Sequence, residues 1–461
     1  MKKNYINENS KYSSKIQSDL LKIYHEIEKN KKNGEENLIG LLFHELVYFL
    51  LNKKVFNKNI KFGKRNDKYI YELKQNSSTN QILYNFYSKI FSLFNHKKKI
   101  FLGKSIPLST IDKISLIIFS IFYGYKIVIL KNDDIKITIS ENSKIFFFEK
   151  IRNLLIKNKI NLKNLNDIKF FINKISSKKK ILICKNKNII ITGTLGIFQN
   201  RLIAMKKNKL NSKLLTINHI PTYGFVSYAS LRYDDFYLCD FYLTHFGKKI
   251  KLDKNYVGIS KQKYKILNIN NRFAKYVSNN IKKINFKDSD KKKILYVPAR
   301  IGGTVLNGKN FLKINDYNKW QDYLADNFGK IDVKYPSKKF YLNKNNKFNI
   351  LNVKLELIKI VKNYDLILID SISSSAFSEL AFTNIPIVYF NINIDMLNSN
   401  VKKIIKTRTF EIKVDIFQNY KGFKSIKSLR AIRSKKNLFS NTFYNKENEN
   451  SFYKNLKSIN D

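Results

Sequence analysis

The stretch that most constrains the fold is residues 364–390, which read YDLILIDSISSSAFSELAFTNIPIVYF. Residues 365–369 form a short run rich in Ile and Leu that ends abruptly at Asp370, the pattern of a buried parallel strand reaching its carboxyl end. Ser371, Ser373, Ser374 and Ser375 follow, all good N-cap and first-turn residues. Residues 376–382 then carry apolar side chains at helical spacing, so a helix starts within the serine cluster. Asn384 suits a helix stop, and Pro386 suits the entry to a second strand at 387–390. The spacing therefore predicts a β-α-β unit. Backbone N–H groups at a helix N-terminus, with hydroxyls beside them, form a site suited to phosphate. Glu379 lies about one turn into the helix, where a carboxylate can accept bonds from a sugar hydroxyl.

The rest of the chain repeats the α/β rhythm from about residue 99 onward. Strands are expected at 99–103, 126–130, 181–184, 189–192, 213–218, 236–246, 293–297 and 332–335, and helices at 107–123, 197–207 and 354–362. Before residue 98 the apolar stripes at 38–51 and 82–94 read as packing helices, with His44 a core or interface histidine. Gly193-Thr194-Leu195-Gly196 permits a tight strand-to-helix turn and by itself says little about phosphate. His219 stands at the carboxyl end of the strand at 213–218, where open α/β sheets bind ligands, and its near-neutral pKa suits a general base. Asp234-Asp235 is an adjacent pair without metal-ligand spacing, and Cys184 and Cys239 read as buried, reduced thiols, so no metal is expected.

Residues 364–390 resemble the nucleotide-binding unit of two-domain, GT-B-like glycosyltransferases of surface-polysaccharide (lipopolysaccharide or capsule) biosynthesis, and of the related CDP-glycerol glycerophosphotransferases. The matching positions are Asp370, the serines, Glu379 and Pro386. The apolar strand at 293–297, followed by Pro298, Ala299, Arg300, Ile301, Gly302 and Gly303, resembles the first strand and loop of the same domain. His219 with Tyr223-Gly224 resembles the family's His-Gly and Tyr-Gly pattern, but Ile220 stands where that Gly is expected. The resemblance implies that Arg300, Ser371, Ser373, Ser374 and Ser375 hold donor phosphates, Glu379 the donor ribose, and that His219 is catalytic.

Charge bounds the partners. The formal net charge is +52, from 87 Lys plus Arg against 35 Asp plus Glu. Heavy use of Lys, Asn and Ile with few Gly and Pro is what an AT-rich genome encodes, yet acidic residues have not kept pace, which leaves an anionic membrane surface as a partner. The basic residues are spread along the chain without a nucleic-acid module, so no specific nucleic acid is expected. The start carries no apolar leader, and the longest apolar window, 114–125, is too short for the ~20 residues of a span. A cytoplasmic protein, peripheral on the inner face of the membrane, is the corresponding expectation.

The reading is an α/β chain with two Rossmann-like domains facing a cleft and an N-terminal helical extension. Its boundaries are 1–98 helical region, 99–260 acceptor-side domain, 261–290 linker, 291–400 nucleotide-donor domain, and 401–461 basic helices with a frayed tail. The implied function is transfer of a sugar from a nucleotide-sugar, or of a group from a CDP-alcohol donor, to a glycan or lipid-linked acceptor, with no cofactor. Glycerophosphotransferase-type polymer synthesis, nucleotide-sugar epimerisation and a non-catalytic polyanion-binding or scaffold role stand as alternatives.

Overall fold

A computed structural model describes residues 2–30, 37–54, 62, 97–103, 106, 108–129, 139–176, 185–195, 197–217, 238–244, 264–268, 293–299, 301, 312–335, 345–352, 354–395, 397, 399–423 and 451–461. Two helices, α1 (Lys2–Asn30) and α2 (Leu38–Lys54), precede a sheet of β1 (Lys98–Leu102), β2 (Tyr125–Ile129), β3 (Asn188–Thr192), β4 (Ser212–Ile217), β5 (Phe241–Thr244) and β6 (Lys265–Asn268). Its spatial order is β2-β1-β3-β4-β5-β6, with every pairing parallel. A second sheet holds β7 (Ile294–Val297), β8 (Ile331–Val333), β9 (Phe348–Ile350), β10 (Leu366–Ile369), β11 (Ile387–Asn391) and β12 (Thr409–Lys413) in the order β12-β11-β10-β7-β8-β9, again all parallel. The chain is thus α/β with two Rossmann-like sheets and N-terminal helices, the expected fold class.

Parallel strands buried on both faces must be apolar at successive positions, and the alternation then sorts side chains between two layers. In the first sheet Phe101, Ile190, Leu214 and Tyr242 face α1, α2, α4 (Glu141–Lys157), α5 (Asn164–Ile175) and α6 (Phe198–Met205). Ile100, Leu102, Ile189, Ile191, Leu215 and Leu243 face the other way, toward α3 (Thr110–Tyr123). That helix opens with a capping box at Ser109 and Asp112 and closes on Gly124 at φ 67°, a left-handed position that favours glycine. In the second sheet Tyr296, Leu368, Val388 and Phe390 pack on α7 (Ile314–Phe328), whose Trp320 is fully buried. The opposite face, with Leu295, Ile367, Ile369 and Ile387, packs on α8 (Leu357–Val361), α9 (Ser375–Leu380) and Ile405 of α10 (Ser399–Arg408).

Three expectations are corrected. The stretch assigned to a linker, 261–290, contains β6, an edge strand of the first sheet; its four residues KILN are polar at both ends and leave Ile266 exposed, so neither apolar run nor alternation marks it. The second sheet extends past residue 400 to β12, which the basic composition around it conceals. The tail is not frayed where it ends: α11 (Phe452–Asn460) is capped by Ser451, which accepts the Lys454 N–H, and buries Phe452, Leu456 and Ile459 against α3 of the first sheet. Asn460 accepts a 2.9 Å bond from the Tyr125 hydroxyl, so the last turn is tied to β2.

His44 lies on α2, but its side chain is outside the described residues, as are Cys184 and the stripe at 82–94; Cys239 is buried. Because Leu456 is fully buried, Leu456→Ala is expected to destabilise the protein by ~2–5 kcal/mol, read as a lowered midpoint in urea with an unchanged slope.

Candidate functional site

In the second sheet the chain starts at β7, winds outward through β8 and β9, then returns to the other side of β7 with β10, β11 and β12. The reversal falls between β7 and β10, and a crevice opens at the carboxyl ends of such a pair because their connections leave in opposite directions. The segments that leave these ends are 298–301 and 370–374. Asp370, fully buried, joins them: its carboxylate accepts the Ala299 N–H at 2.6 Å, the Tyr317 hydroxyl at 2.7 Å and the Tyr296 hydroxyl. Burial, then the Asp370 charge, pushes both tyrosines well above the ordinary phenol range, which keeps them protonated as donors.

The serine segment folds around a second carboxylate. Asp395, beyond β11, accepts from the Ser373 hydroxyl at 2.6 Å, the Ile372 N–H at 2.6 Å and the Ser371 hydroxyl at 3.0 Å, with Tyr389 donating at 3.1 Å. Ser374 is the N-cap of α9, its Oγ accepting the Phe377 N–H at 3.1 Å. Ser375 is the first residue of that helix, with its side chain outside the described residues. In the loop that the sequence singles out, an internal carboxylate takes the Ser371 and Ser373 hydroxyls.

The far end of α9 carries the complementary charge. Arg408, at 1% exposure, donates from Nε to the Ala381 carbonyl at 3.0 Å and from Nη2 to the Thr383 and Ile385 carbonyls, both at 2.7 Å. Burial lowers its pKa to about 9. A carboxylate at the start of a helix and a cation at its end both complement the backbone dipole.

Glu379 projects from α9 with a pKa raised to about 7, by burial first and then by Glu356, against the opposing pull of Lys334. Lys334 follows β8 at the same carboxyl edge of the sheet and is buried, which lowers its own pKa while Glu379 holds it up. Glu379 and Lys334 thus bring opposite charges together at the edge where the crevice opens, and the carboxyl changes protonation near neutral pH.

Arg300 lies outside the described residues, between Ala299 and Ile301, which are both buried. His219, Ile220, Tyr223, Gly224 and the glycines at 302 and 303 are also outside them, and the structure brings Ser371, Ser373, Ser374 and Glu379 onto one segment. In the first sheet the reversal falls between β1 and β3. There Gly103 is required by close approach, since a Cβ would lie 2.7 Å from the Asn200 Oδ1 and 2.8 Å from Thr192. Asn200 donates to the Thr194 carbonyl at 2.9 Å, and the buried Arg201 donates to Leu195 at 2.7 Å and to Glu45 at 2.6 Å. The Gly193-Thr194-Leu195 turn is held from beneath by these side chains.

Sequence reasoning missed Asp395, Arg408, Lys334 and Arg201 as site-shaping residues. A charge inside the region expected to be basic helices, 401–461, such as Arg408 two residues after Lys406, looks like any other in a chain this basic. Among the described residues no group of three or more His, Cys, Asp or Glu could hold a metal ion.

No family model matches the chain, and no curated protein matches it. Among solved structures, the crystal structure of a UGT transferase from Siraitia grosvenorii in complex with UDP is similar at 9% identity and a TM-score of 0.31, covering 78% of this chain and 93% of that one. A likeness at that TM-score bears on neither the site nor the activity.

The Glu379 shift has a definite pH consequence. A carboxyl whose folded pKa is raised stabilises the fold only while protonated. Its contribution is intact below the unfolded value of 4.5, falls as pH rises, and is lost above about 7. Glu379→Gln is therefore expected to raise the melting temperature at pH 8 by a few degrees and to leave it nearly unchanged at pH 4, measured by differential scanning fluorimetry at both pH values.

Proposed function

We propose that this protein is a transferase that moves a sugar from a nucleotide-activated donor to a surface-glycan or lipid-linked acceptor. The observation that carries the reading is the Asp370 clasp. It binds the segment leading into Arg300 to the serine segment at the switch point of a doubly wound sheet, with Glu379 on the adjoining helix.

In this reading the donor diphosphate lies between the two segments. Arg300 meets it with a planar, bidentate guanidinium, and the backbone around Ser374 and Ser375 faces it. Ser371 and Ser373 act through shape, held on Asp395. Glu379 accepts the ribose hydroxyls, for which its ionised form is the better acceptor. His219 takes the proton of the acceptor hydroxyl. Stabilising the departing nucleotide diphosphate is electrostatic work for Arg300 and the segment's N–H groups.

A membrane-bound acceptor is supported by α3. Ile111, Ile114, Ile118, Ile121 and Phe122 line one face of this helix, with exposures from 41% to 76%. An apolar stripe on a chain of net charge +52 suits the surface of an anionic bilayer, where the side chains reach the acyl boundary and lysines the head groups. Among the described residues no helix is long and apolar enough to cross a membrane, so attachment would run along the surface.

The donor site is tested by thermal shift against UDP, CDP, GDP and ADP. One nucleotide is expected to stabilise the fold by mass action, by ~2.7 kcal/mol at a hundredfold excess over Kd, and so to raise the melting temperature. Arg300→Ala or Glu379→Ala should remove most of that shift, and His219→Ala should retain it while lowering transfer at least ~100-fold. No shift with any nucleotide would exclude the reading. For the membrane face, sedimentation with phosphatidylglycerol vesicles is expected for the wild type, with a severalfold loss in Ile118→Asp/Phe122→Asp; equal binding by both proteins would rule out α3 as the contact.

A further inference from the structure

Strand β8 alternates between the two helical layers of the second sheet. Ile331, Val333 and, just beyond the strand, Tyr335 belong to the layer of α7, so Asp332 and Lys334 lie on the opposite face, the one covered by α8 and α9. Asp332 bears this out, since it accepts the Tyr364 hydroxyl at 2.7 Å and Tyr364 is part of that layer. The Lys334 N–H donates to the Tyr296 carbonyl of β7 at 3.0 Å, and the Val333 carbonyl beside it takes the Leu351 N–H at 3.0 Å. Lys334 is thereby fixed at the carboxyl edge of the sheet, one strand from the reversal between β7 and β10.

Only 7% of Lys334 is exposed. Burying an ammonium group is costly, and a methionine at this position would pack on the same layer without that cost. What the lysine adds is charge. Two carboxyl groups converge on the place it occupies: Glu379 from α9, and Glu356, the N-cap residue of α8, which packs on α9. The other charged groups on the elements around α9 are turned elsewhere. Asp332 takes Tyr364 and Asn349, Lys359 of α8 pairs with Glu356 at 3.2 Å, Asp370 meets the tyrosines across the sheet, and Arg408 holds the carbonyls at the far end of α9.

Burial and the Glu356 charge both favour a protonated Glu379, and Lys334 opposes them. The balance falls at about 7, so the state of this carboxyl at neutral pH depends on the lysine. That state matters to a ribose. Its two neighbouring hydroxyls are both donors, and an ionised carboxylate can accept both, one on each oxygen, whereas a carboxylic acid carries a proton of its own on one of them.

We infer that Lys334 is a positioning residue of the donor site, whose ammonium group keeps Glu379 in its charged, ribose-accepting form at neutral pH. The inference rests on the donor reading above and adds to it the residue that sets the pH range of donor binding. Lys334 acts through Glu379 and touches neither diphosphate nor ribose.

Two measurements on the full chain test it, and the first needs no nucleotide. Glu379→Gln removes the cost of an ionised carboxylate, and that cost is larger without the lysine. The substitution is therefore expected to raise the melting temperature at pH 8 by more in a Lys334→Met background than in the wild type, and to change it little in either at pH 4. Lys334→Gln serves as a second background, and Lys334→Arg, which retains the charge, should match the wild type. The second measurement is the affinity for UDP, CDP, GDP and ADP by calorimetry between pH 6.5 and 9. Wild-type affinity for the nucleotide that binds is expected to rise through about pH 7 and level off. In Lys334→Met the rise should move alkaline by ~1 pH unit or more, making binding severalfold weaker at pH 6.5 and equal to the wild type at pH 9. Equal gains from Glu379→Gln with and without the lysine, a pH profile that Lys334→Met leaves in place, or a Lys334→Arg protein with the Lys334→Met profile would each overturn the inference and leave donor binding standing. A larger gain without the lysine, but no nucleotide bound at any pH, would overturn the donor reading and the ribose role of the pair with it.

Discussion

The second half of the molecule depends on one buried carboxylate. Asp370 ends β10 in the layer between sheet and helix, with no exposed surface, and its charge is met by a backbone N–H and two tyrosine hydroxyls. A buried charge left unpaired is costly, so these donors must come to it. Tyr296 is on β7, Tyr317 on α7 and Ala299 on the segment after β7. Satisfying one carboxylate therefore fixes three elements relative to β10, and this juxtaposes the two segments at the switch point.

The same logic sets the short helix α9. Six residues are too few to be stable by themselves, since a helix nucleus is costly and each turn adds little. Asp395 at its approach and Arg408 at its exit supply what local sequence does not: Asp395 accepts the Ile372 N–H and the serine hydroxyls just before the helix, and Arg408 donates to the Leu380 and Ala381 carbonyls at its end and to those of Thr383 and Ile385 beyond it. Both come from the segment between β11 and β12, so the serine segment is shaped by chain that follows it by twenty residues or more. Asp395 also lines a cavity at the carboxyl ends of β11 and β12.

Much of the fold was legible because burial on both faces forces parallel strands to be continuously apolar. The strands expected at 99–103, 189–192, 213–218, 293–297, 365–369 and 387–390 all occur, within one or two residues. Of the four edge strands only β2 was expected; β6, β9 and β12 are short, partly exposed and interrupted by polar residues, and no local pattern separates them from a loop. The Ser374 cap was legible, since capping is a local hydrogen bond three residues long. The partners of Ser371 and Ser373 were not. They lie 22 to 24 residues away, and nothing in the order of residues distinguishes Asp395 from any other polar turn residue.

The sequence by itself determined the class of the fold, the β-α-β unit at 364–390, and the Ser374 cap at its turn, because apolar periodicity and helix capping act over a few residues. Only the tertiary structure decided which groups the serine segment meets, the near-neutral pKa of Glu379, and the docking of the last helix on the first sheet. These depend on desolvation and on charges brought together from distant positions, and both quantities exist only once the chain is packed.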